Sequence, residues 1–487
     1  MFRLIRNLLI PPVLGALAVP GFAPLGWWPL PILSLAGLFW WVRAATPRQA
    51  LLAGWGYGLG LFLVGVSWVF VSLSTYGGLP APVAVLATLL FCGFIALFPA
   101  LAIWLGVRLT APTLSPGVWL ALPAAWALLE WVRGWFLTGF PWLAFGYSQV
   151  PDGPLAGFAP VLGVYGVGLA VALVAGLFAS LRPNLVTAGV LLLAAGHGLQ
   201  QVEWTRPVGA PVSVALLQGN VPQEMKFRPD KLATTLQDYA RQVLASEARL
   251  VVLPETAVPL FRSGVPAGYL EGLAEHVKRR DGDLLLGLPV DTASGEYYNA
   301  VVSAGASPAG EYRKHHLVPF GEFVPFGFRW LVDMMSIPLG DFSVGAPDQG
   351  PIAAAGQRLA VNVCYEDAFG EERIHAAREA TLLVNVSNDA WFGNSLSPRQ
   401  HLQIGAMRSL EAGRWQLRAN NTGITAIVDE RGRVRAELPP FTQATLAGSA
   451  QGMAGLTPYL RWGNVPALGI MAALLLAAGL VSRKRRS

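Results

Sequence analysis

A chain of 487 residues with 53% hydrophobic and 13% charged positions, and a mean hydropathy of +0.47, is excluded from the ordinary soluble class, where charged residues run near 25%. It belongs in a membrane, and its 17 Trp and 54 Gly agree, since Trp gathers at bilayer interfaces and Gly is frequent in spanning helices. The net charge of +6 is modest and much of it lies at the two ends and in short loops, which speaks of topology before nucleic acid.

In chain order, apolar runs near the length needed to cross a bilayer, roughly 17 to 25 residues, fall at Leu8–Phe22, Trp28–Val42, Leu51–Ser72, Pro82–Val107, Val118–Trp135, Leu155–Leu181 and Leu185–Leu199, with an eighth at Val465–Val481. The first is short and interrupted by Pro11, Pro12 and Pro20. Arg3 and Arg6 ahead of it also fit a signal peptide, but Val13–Pro20 lacks a clear small-residue cleavage site and more spans follow, so it is taken as a helix. Arg43, Arg48, Arg108, Arg182 and the terminal Arg483-Lys484-Arg485-Arg486 mark alternate loops, whereas Ser74–Ala81 and Ser148–Pro154 carry no Lys or Arg. The positive-inside rule then places both termini in the cytoplasm and the long segment after the seventh span on the outer face. Of the two cysteines, Cys92 sits in an apolar run and Cys364 far away in that segment; a disulfide between them is discounted, and cysteine usage leaves the redox compartment unread.

The expected organisation is a seven-span membrane domain at 1–203, an extramembrane domain at 204–452 and a last span with a basic tail at 453–487. Within the middle part, short β-like runs (Val212–Leu217, Leu250–Leu253, Leu284–Leu288, Leu359–Val363, Leu382–Val386, Ile424–Val428) alternate with charged helical stretches (Lys231–Arg249, Leu270–Arg280, Glu371–Ala380, Leu402–Gly413). That pattern predicts an α/β domain with a sheet covered by helices.

Three polar positions stand at the ends of these runs. Val251-Val252-Leu253-Pro254 leads into Glu255, Arg313 is followed by Lys314, and Leu359-Ala360-Val361-Asn362-Val363 stops at Cys364. Each has an ordinary explanation: a free cysteine is commonly a small buried hydrophobe, a glutamate after a strand is solvated or caps a helix, and a lysine sits in a charged turn. Together they supply what thiol catalysis needs: a nucleophile, a base for its proton and a cation for the oxyanion. Lysine is scarce, with Lys226, Lys231, Lys278, Lys314 and Lys484 the whole set, which slightly favours a chemical need for each that is kept. His315 and His316 offer a Cys–His alternative, but neighbours in a strand face opposite ways, so at most one can point at Cys364. No His-Glu-x-x-His, paired Cys-x-x-Cys or phosphate-binding loop occurs.

Pro254-Glu255, Lys314 before Pro319-Phe320-Gly321-Glu322, Cys364-Tyr365-Glu366, and Asn385-Val386-Ser387-Asn388-Asp389-Ala390-Trp391-Phe392-Gly393 resemble the nitrilase, or carbon–nitrogen hydrolase, superfamily, with triad members roughly 50 to 60 residues apart. The resemblance implies an α-β-β-α sandwich with a Glu-Lys-Cys triad. With spans on both sides, and with Gly139-Phe140-Pro141-Trp142, Phe145-Gly146-Tyr147-Ser148-Gln149, Gln218-Gly219-Asn220, His401, Met407-Arg408, Leu410-Glu411 and Asn420-Asn421-Thr422-Gly423, nearly the whole chain is similar to the bacterial apolipoprotein N-acyltransferase family. That implies a multi-pass inner-membrane enzyme of about eight spans with a periplasmic catalytic domain. Cys364 would take an acyl chain from a phospholipid as a thioester and pass it to the α-amino group of a diacylglyceryl-modified apolipoprotein, without metal, cofactor or nucleic acid. Glu255 would be the general base, Lys314 and the N–H of Tyr365 the oxyanion donors, and Glu322 and Glu366 supporting acids. Phe227 departs from the family, which often has Trp there, so the position keeps a large aromatic ring without an indole N–H.

Three further expectations concern the surroundings. Phe326–Phe342 is either a packed surface helix or an arm dipping into the interface over the acyl chains. Trp142, Phe145 and Tyr147 would shape the floor where lipids enter, and Glu130 and Arg133 should face protein or water. The rival functions are a membrane-tethered amidase that resolves the thioester with water, and a transporter, which would need charged or broken helices at mid-membrane that these runs do not offer.

Overall fold

The computed structural model describes residues 2–110, 116–327, 329 and 341–484. Two compact units emerge: one of residues 1–70, 81–203 and 461–487, the other of 71–80 and 204–460.

The first unit is helical. Among the described residues three helices are long and apolar enough to cross a membrane, Ala81–Thr110, Pro154–Ala179 and Val465–Arg483, and the bent pair Pro47–Gly65 with Trp68–Tyr76 would make a fourth. Leu9–Gly21, Pro29–Val42 and Pro183–Leu199 are apolar but shorter, which is why eight apolar runs do not translate into eight full-length helices. Close helix crossings rest on glycine: a Cβ on Gly15 would stand 2.0 Å from the Tyr57 oxygen, and one on Gly60 1.9 Å from the Pro12 oxygen. Glu130 and Arg133 are buried against protein. Glu130 Oε1 accepts from the Phe145 N–H at 3.0 Å, and Arg133 donates to the carbonyls of Phe140 and, at 2.7 Å, Trp142. Trp142, Phe145 and Tyr147 are likewise buried, Phe145 edge-on to Phe22 and Trp126 and Trp142 edge-on to Trp68. They pack the helical interior and do not form an open floor.

The strands of the second unit are β1 (Arg206–Pro207), β2 (Val212–Gln218), β3 (Leu250–Val252), β4 (Asp283–Asp291), β5 (Tyr297–Gly305), β6 (Glu311–Arg313), β7 (Ile352–Ala354), β8 (Gln357–Val363), β9 (Leu382–Ser387), β10 (Trp415–Asn420), β11 (Ala426–Val428), β12 (Val434–Glu437), β13 (Ala444–Ala450) and β14 (Met453–Ala454). They form two six-stranded sheets, ordered β13-β2-β3-β4-β5-β6 and β12-β11-β10-β9-β8-β7, and a small β1-β14 pair. Each large sheet has three parallel strands at its centre, β2-β3-β4 and β8-β9-β10, with antiparallel neighbours outside.

Alternation along each strand decides which layer a side chain joins. Val212, Val214 and Leu216 of β2 meet Leu359, Val361 and Val363 of β8 in the core between the sheets. Ala215 and Leu217 turn the other way, onto Leu236, Tyr239 and Val243 of the Pro229–Ala245 helix. Ala360 and Leu383 turn outward onto Ala376 and Ala377 of the Gly370–Glu379 helix. The layers are therefore helix, sheet, sheet, helix, as the resemblance implies. Leu216 is fully buried in the central layer, so Leu216→Ala is expected to cost about 2–5 kcal/mol through lost burial and a residual cavity, read as a lowered unfolding midpoint.

Candidate active site

The three strand ends converge because they come from facing sheets. Glu255 follows β3 after Leu253 and Pro254, Lys314 follows β6, and Cys364 follows β8 as the first residue of a 3-10 turn, Cys364–Ala368. Cys364 has φ of +51°, a left-handed conformation that costs a non-glycine residue about 1–3 kcal/mol and marks functional turns. Glu255, Lys314, Glu322 and Cys364 line one cleft of about 1050 Å³ of empty space, walled on the apolar side by Leu73, Phe227, Phe320, Phe342, Trp391 and Phe392. Leu73 arrives from the 71–80 segment, whose Ser72 hydroxyl donates to the Trp391 carbonyl at 2.9 Å.

Charge in this cleft is buried and matched. Lys314, 1% exposed, places Nζ 2.8 Å from Glu322 Oε2 and 3.5 Å from Glu255 Oε1. Asn299 Nδ2 donates to both carboxylates, at 2.7 Å to Glu255 Oε1 and 2.8 Å to Glu322 Oε1, and the Val318 N–H adds a bond of 2.8 Å to Glu322 Oε2. Burial by itself would strip the Lys314 proton, but the Glu322 and Glu255 carboxylates outweigh it and hold the ammonium above its ordinary range. Cys364 goes the other way for a thiol: burial and then the Glu255 carboxylate push it well above its ordinary value, against the pull of Lys314. The resting group is a neutral thiol, so its use as a nucleophile requires a base to take the proton during attack.

Glu366 ties the lysine loop to the cysteine turn. Its Oε1 accepts from the N–H groups of His315 at 2.9 Å and His316 at 3.1 Å, immediately after Lys314, while Oε2 accepts from the Val363 N–H at 2.7 Å, immediately before Cys364. Tyr312 donates to the same carboxylate at 2.8 and 2.9 Å. Tyr365 packs edge-on against Phe369 at 5.0 Å. The two histidines are engaged outside the triad: His315 Nδ1 lies 2.7 Å from the Gly345 carbonyl, and His316 stacks on Phe369 with Nδ1 2.9 Å from Glu372. Phe227, the departure noted in the sequence, lines the cleft as a large apolar side chain. Most of the Phe326–Phe342 arm lies outside the described residues; of its ends, Phe326 is fully exposed and Phe342 packs against Tyr297.

Several residues of the site were not singled out from sequence. Lys226 is buried with Nζ 3.0 Å from the Glu255 main-chain oxygen. Burial brings its ammonium down to about 8 despite the opposing influence of Glu255 and Cys364. Scarcity of lysine was its one available signal. Asn299 had none, and Asp389 and His401 had only a motif position, because their work depends on contacts that the fold makes between separate elements. Cys364, Asp389 and His401 bring donor atoms within 4.8 Å of one another. His401 Nδ1 already lies 2.9 Å from Asp389 Oδ1 and Nε2 3.1 Å from the Cys364 carbonyl oxygen, so a metal there would have to displace these bonds.

Comparison with known proteins places two family models end to end. Residues 14–177 match the apolipoprotein N-acyltransferase N-terminal domain and residues 213–459 the carbon-nitrogen hydrolase family. The chain is 51% identical to an apolipoprotein N-acyltransferase of Nitrosomonas europaea, covering 99% of this chain and 98% of that protein. It is 47% identical to one of Ralstonia nicotianae, covering 98% and 93%. A solved carbon-nitrogen hydrolase from Helicobacter pylori aligns at 19% identity with a TM-score of 0.37, over 49% of this chain and 88% of that one.

Two outcomes are expected from this geometry. Glu366→Gln replaces an acceptor-only carboxylate by an amide that must present a donor to backbone N–H groups, and should lower stability by about 3 kcal/mol, measured as a drop in the unfolding midpoint. Iodoacetamide should alkylate Cys364 more slowly than a free cysteine at pH 7, with a rate still climbing above pH 9, since a raised thiol pKa keeps the thiolate fraction low until higher pH; a plateau near neutral pH would contradict it.

Proposed function

We propose a mechanism from one premise: this chain belongs to the apolipoprotein N-acyltransferase family and is an enzyme that N-acylates lipoproteins. The observation that carries the mechanism is the buried Lys314 ammonium bracketed by Glu322 and Glu255 in the cleft that holds the Cys364 thiol.

In the first half-reaction the Glu255 carboxylate accepts the thiol proton as sulfur attacks the ester carbonyl carbon of a phospholipid acyl chain. The C=O electron pair moves to oxygen, and the oxyanion is held by the Lys314 ammonium and the Tyr365 N–H. Collapse breaks the C–O ester bond; Glu255 returns the proton to the departing lysophospholipid oxygen, leaving a thioester on Cys364. In the second half-reaction the α-amino group of a diacylglyceryl-cysteine attacks the thioester while Glu255 takes its proton. Collapse breaks the C–S bond and the proton goes back to sulfur, restoring the thiol. Glu322 keeps Lys314 charged and aimed, and Glu366 holds the lysine loop and the cysteine turn together.

The apolar wall of the cleft suits an acyl chain, and its bulk disfavours water at the thioester, which an acyl transferase requires. The arrangement of apolar runs and basic loops supports a multi-pass inner-membrane protein with about eight spans, both termini cytoplasmic and the catalytic residues between 204 and 452 on the periplasmic side. There the phospholipid and the lipid-anchored acceptor meet the site at high effective concentration.

Purified enzyme given a phospholipid with a labelled acyl chain and a diacylated lipopeptide should place label on the peptide amine. Release of labelled free fatty acid with unmodified peptide would make the protein a hydrolase. Glu255→Gln, whose amide cannot accept the thiol proton, should slow transfer by about 10²–10⁴-fold, and a wild-type rate would remove Glu255 from the mechanism.

A further inference from the structure

A peptide group's carbonyl and the following N–H point in opposite directions because the unit is planar and trans. Whatever pins the Cys364 carbonyl therefore aims the Tyr365 N–H. Two side chains hold that oxygen: His401 Nε2 at 3.1 Å and Asn385 Nδ2 at 3.2 Å. Asn385 is itself oriented by the Ser387 hydroxyl, which donates to its Oδ1 at 2.6 Å.

His401 has further constraints. It lies on the Ser397–Ala412 helix, 1% exposed, with Nδ1 2.9 Å from Asp389 Oδ1. Asp389 is fixed in turn by Asn420, whose Nδ2 lies 2.6 Å from Oδ2 and whose Oδ1 accepts the Asp389 N–H at 3.2 Å. The Asp389 carboxylate and the Cys364 carbonyl that lie against its two nitrogens are acceptors only. Donation to both favours a proton on each ring nitrogen. Burial opposes the positive charge, while Asp389 and the Cys364 carbonyl favour it and leave the pKa raised.

We propose that Asp389 and His401 are positioning residues that preset the oxyanion site: by gripping the Cys364 carbonyl they hold the left-handed nucleophile turn and aim the Tyr365 N–H at the developing oxyanion. This rests on the reading of Tyr365 as an oxyanion donor given above. Without His401 the carbonyl keeps only the Asn385 bond, the peptide plane is no longer fixed from both sides, and the Tyr365 N–H is no longer held on the oxyanion, while sulfur stays where it is.

The test separates oxyanion stabilisation from nucleophilicity. Full-length wild type, His401→Asn and His401→Gln are compared in two reactions at one pH: acyl transfer from a labelled phospholipid to Cys364, and alkylation of Cys364 by iodoacetamide, which forms no oxyanion. Asn presents a donor to Asp389 in place of Nδ1 but falls short of the Cys364 carbonyl; Gln reaches it. His401→Asn should lower the acylation rate by about 10²–10³-fold, the loss of one oxyanion donor, with the phospholipid KM unchanged and the alkylation rate altered far less. His401→Gln should recover much of the acylation rate, which also controls for folding. Acylation of His401→Asn at the wild-type rate, or equal losses in acylation and alkylation, overturns the inference while leaving the thioester mechanism intact. Absence of any acyl group on Cys364 in the wild type overturns the thioester mechanism and this inference with it.

Discussion

Everything at this site depends on one buried ammonium held between two carboxylates. Removing Lys314, Glu255 and Glu322 from water is expensive for each charge, and attraction between them compensates only when geometry and extra hydrogen bonds are right. Asn299, on β5, supplies those bonds to both carboxylates at once, and its main-chain oxygen accepts the Lys314 N–H at 2.8 Å. The cluster sits where β3 and β6 end on one sheet. The opposing sheet delivers Cys364 to the same cleft.

That delivery is mechanical. A hydrophobic layer sets the distance between two sheets but is tolerant of small slips, whereas a thiol must meet its base to within a fraction of an ångström. Glu366 converts loose packing into fixed geometry by bonding backbone on both sides of the cleft, next to Lys314 and next to Cys364. Asp367, one residue further, is taken by Asn362 at 2.6 Å, Gln416 at 3.0 Å and the Arg418 guanidinium. The turn after β8 is thus tied down by consecutive carboxylates, one reaching toward the lysine loop and one into its own sheet, and the left-handed Cys364 is over-determined from both sides.

The parts legible in the sequence were those with local signals. Apolar runs leading to Glu255 and Cys364 located β3 and β8, and the succession of apolar runs and charged helical stretches indicated the α/β architecture. β10 was not legible, since Gln416, Arg418 and Asn420 are polar yet buried within a strand; pairing with Asp367 and Asp389 across long separations makes that possible. β5 and β6 are missed for a related reason: their identity lies in antiparallel pairing, β5 with β4 and β6 with β5, not in hydropathy. Asn299, Lys226, Asp389 and His401 take their roles from neighbours between 12 and 44 residues away. Nor does hydropathy report helix length: proline and polar interruptions leave several apolar runs as helices shorter than a bilayer crossing. The contribution of residues 71–80 to the second compact unit is invisible in a linear reading, which ends an apolar run at Ser72 and assigns 74–81 to a loop between spans.

An apolar cleft, a thiol kept protonated at rest and one buried ammonium between two carboxylates are the features on which the proposed thioester mechanism rests. The most direct measurement is a mass spectrum of the enzyme after exposure to phospholipid alone, with no acceptor. The account requires a hydroxylamine-sensitive acyl adduct on the peptide containing Cys364, lost when a diacylated lipopeptide is added. Acyl transfer to the lipopeptide with no adduct ever forming on Cys364 would contradict it.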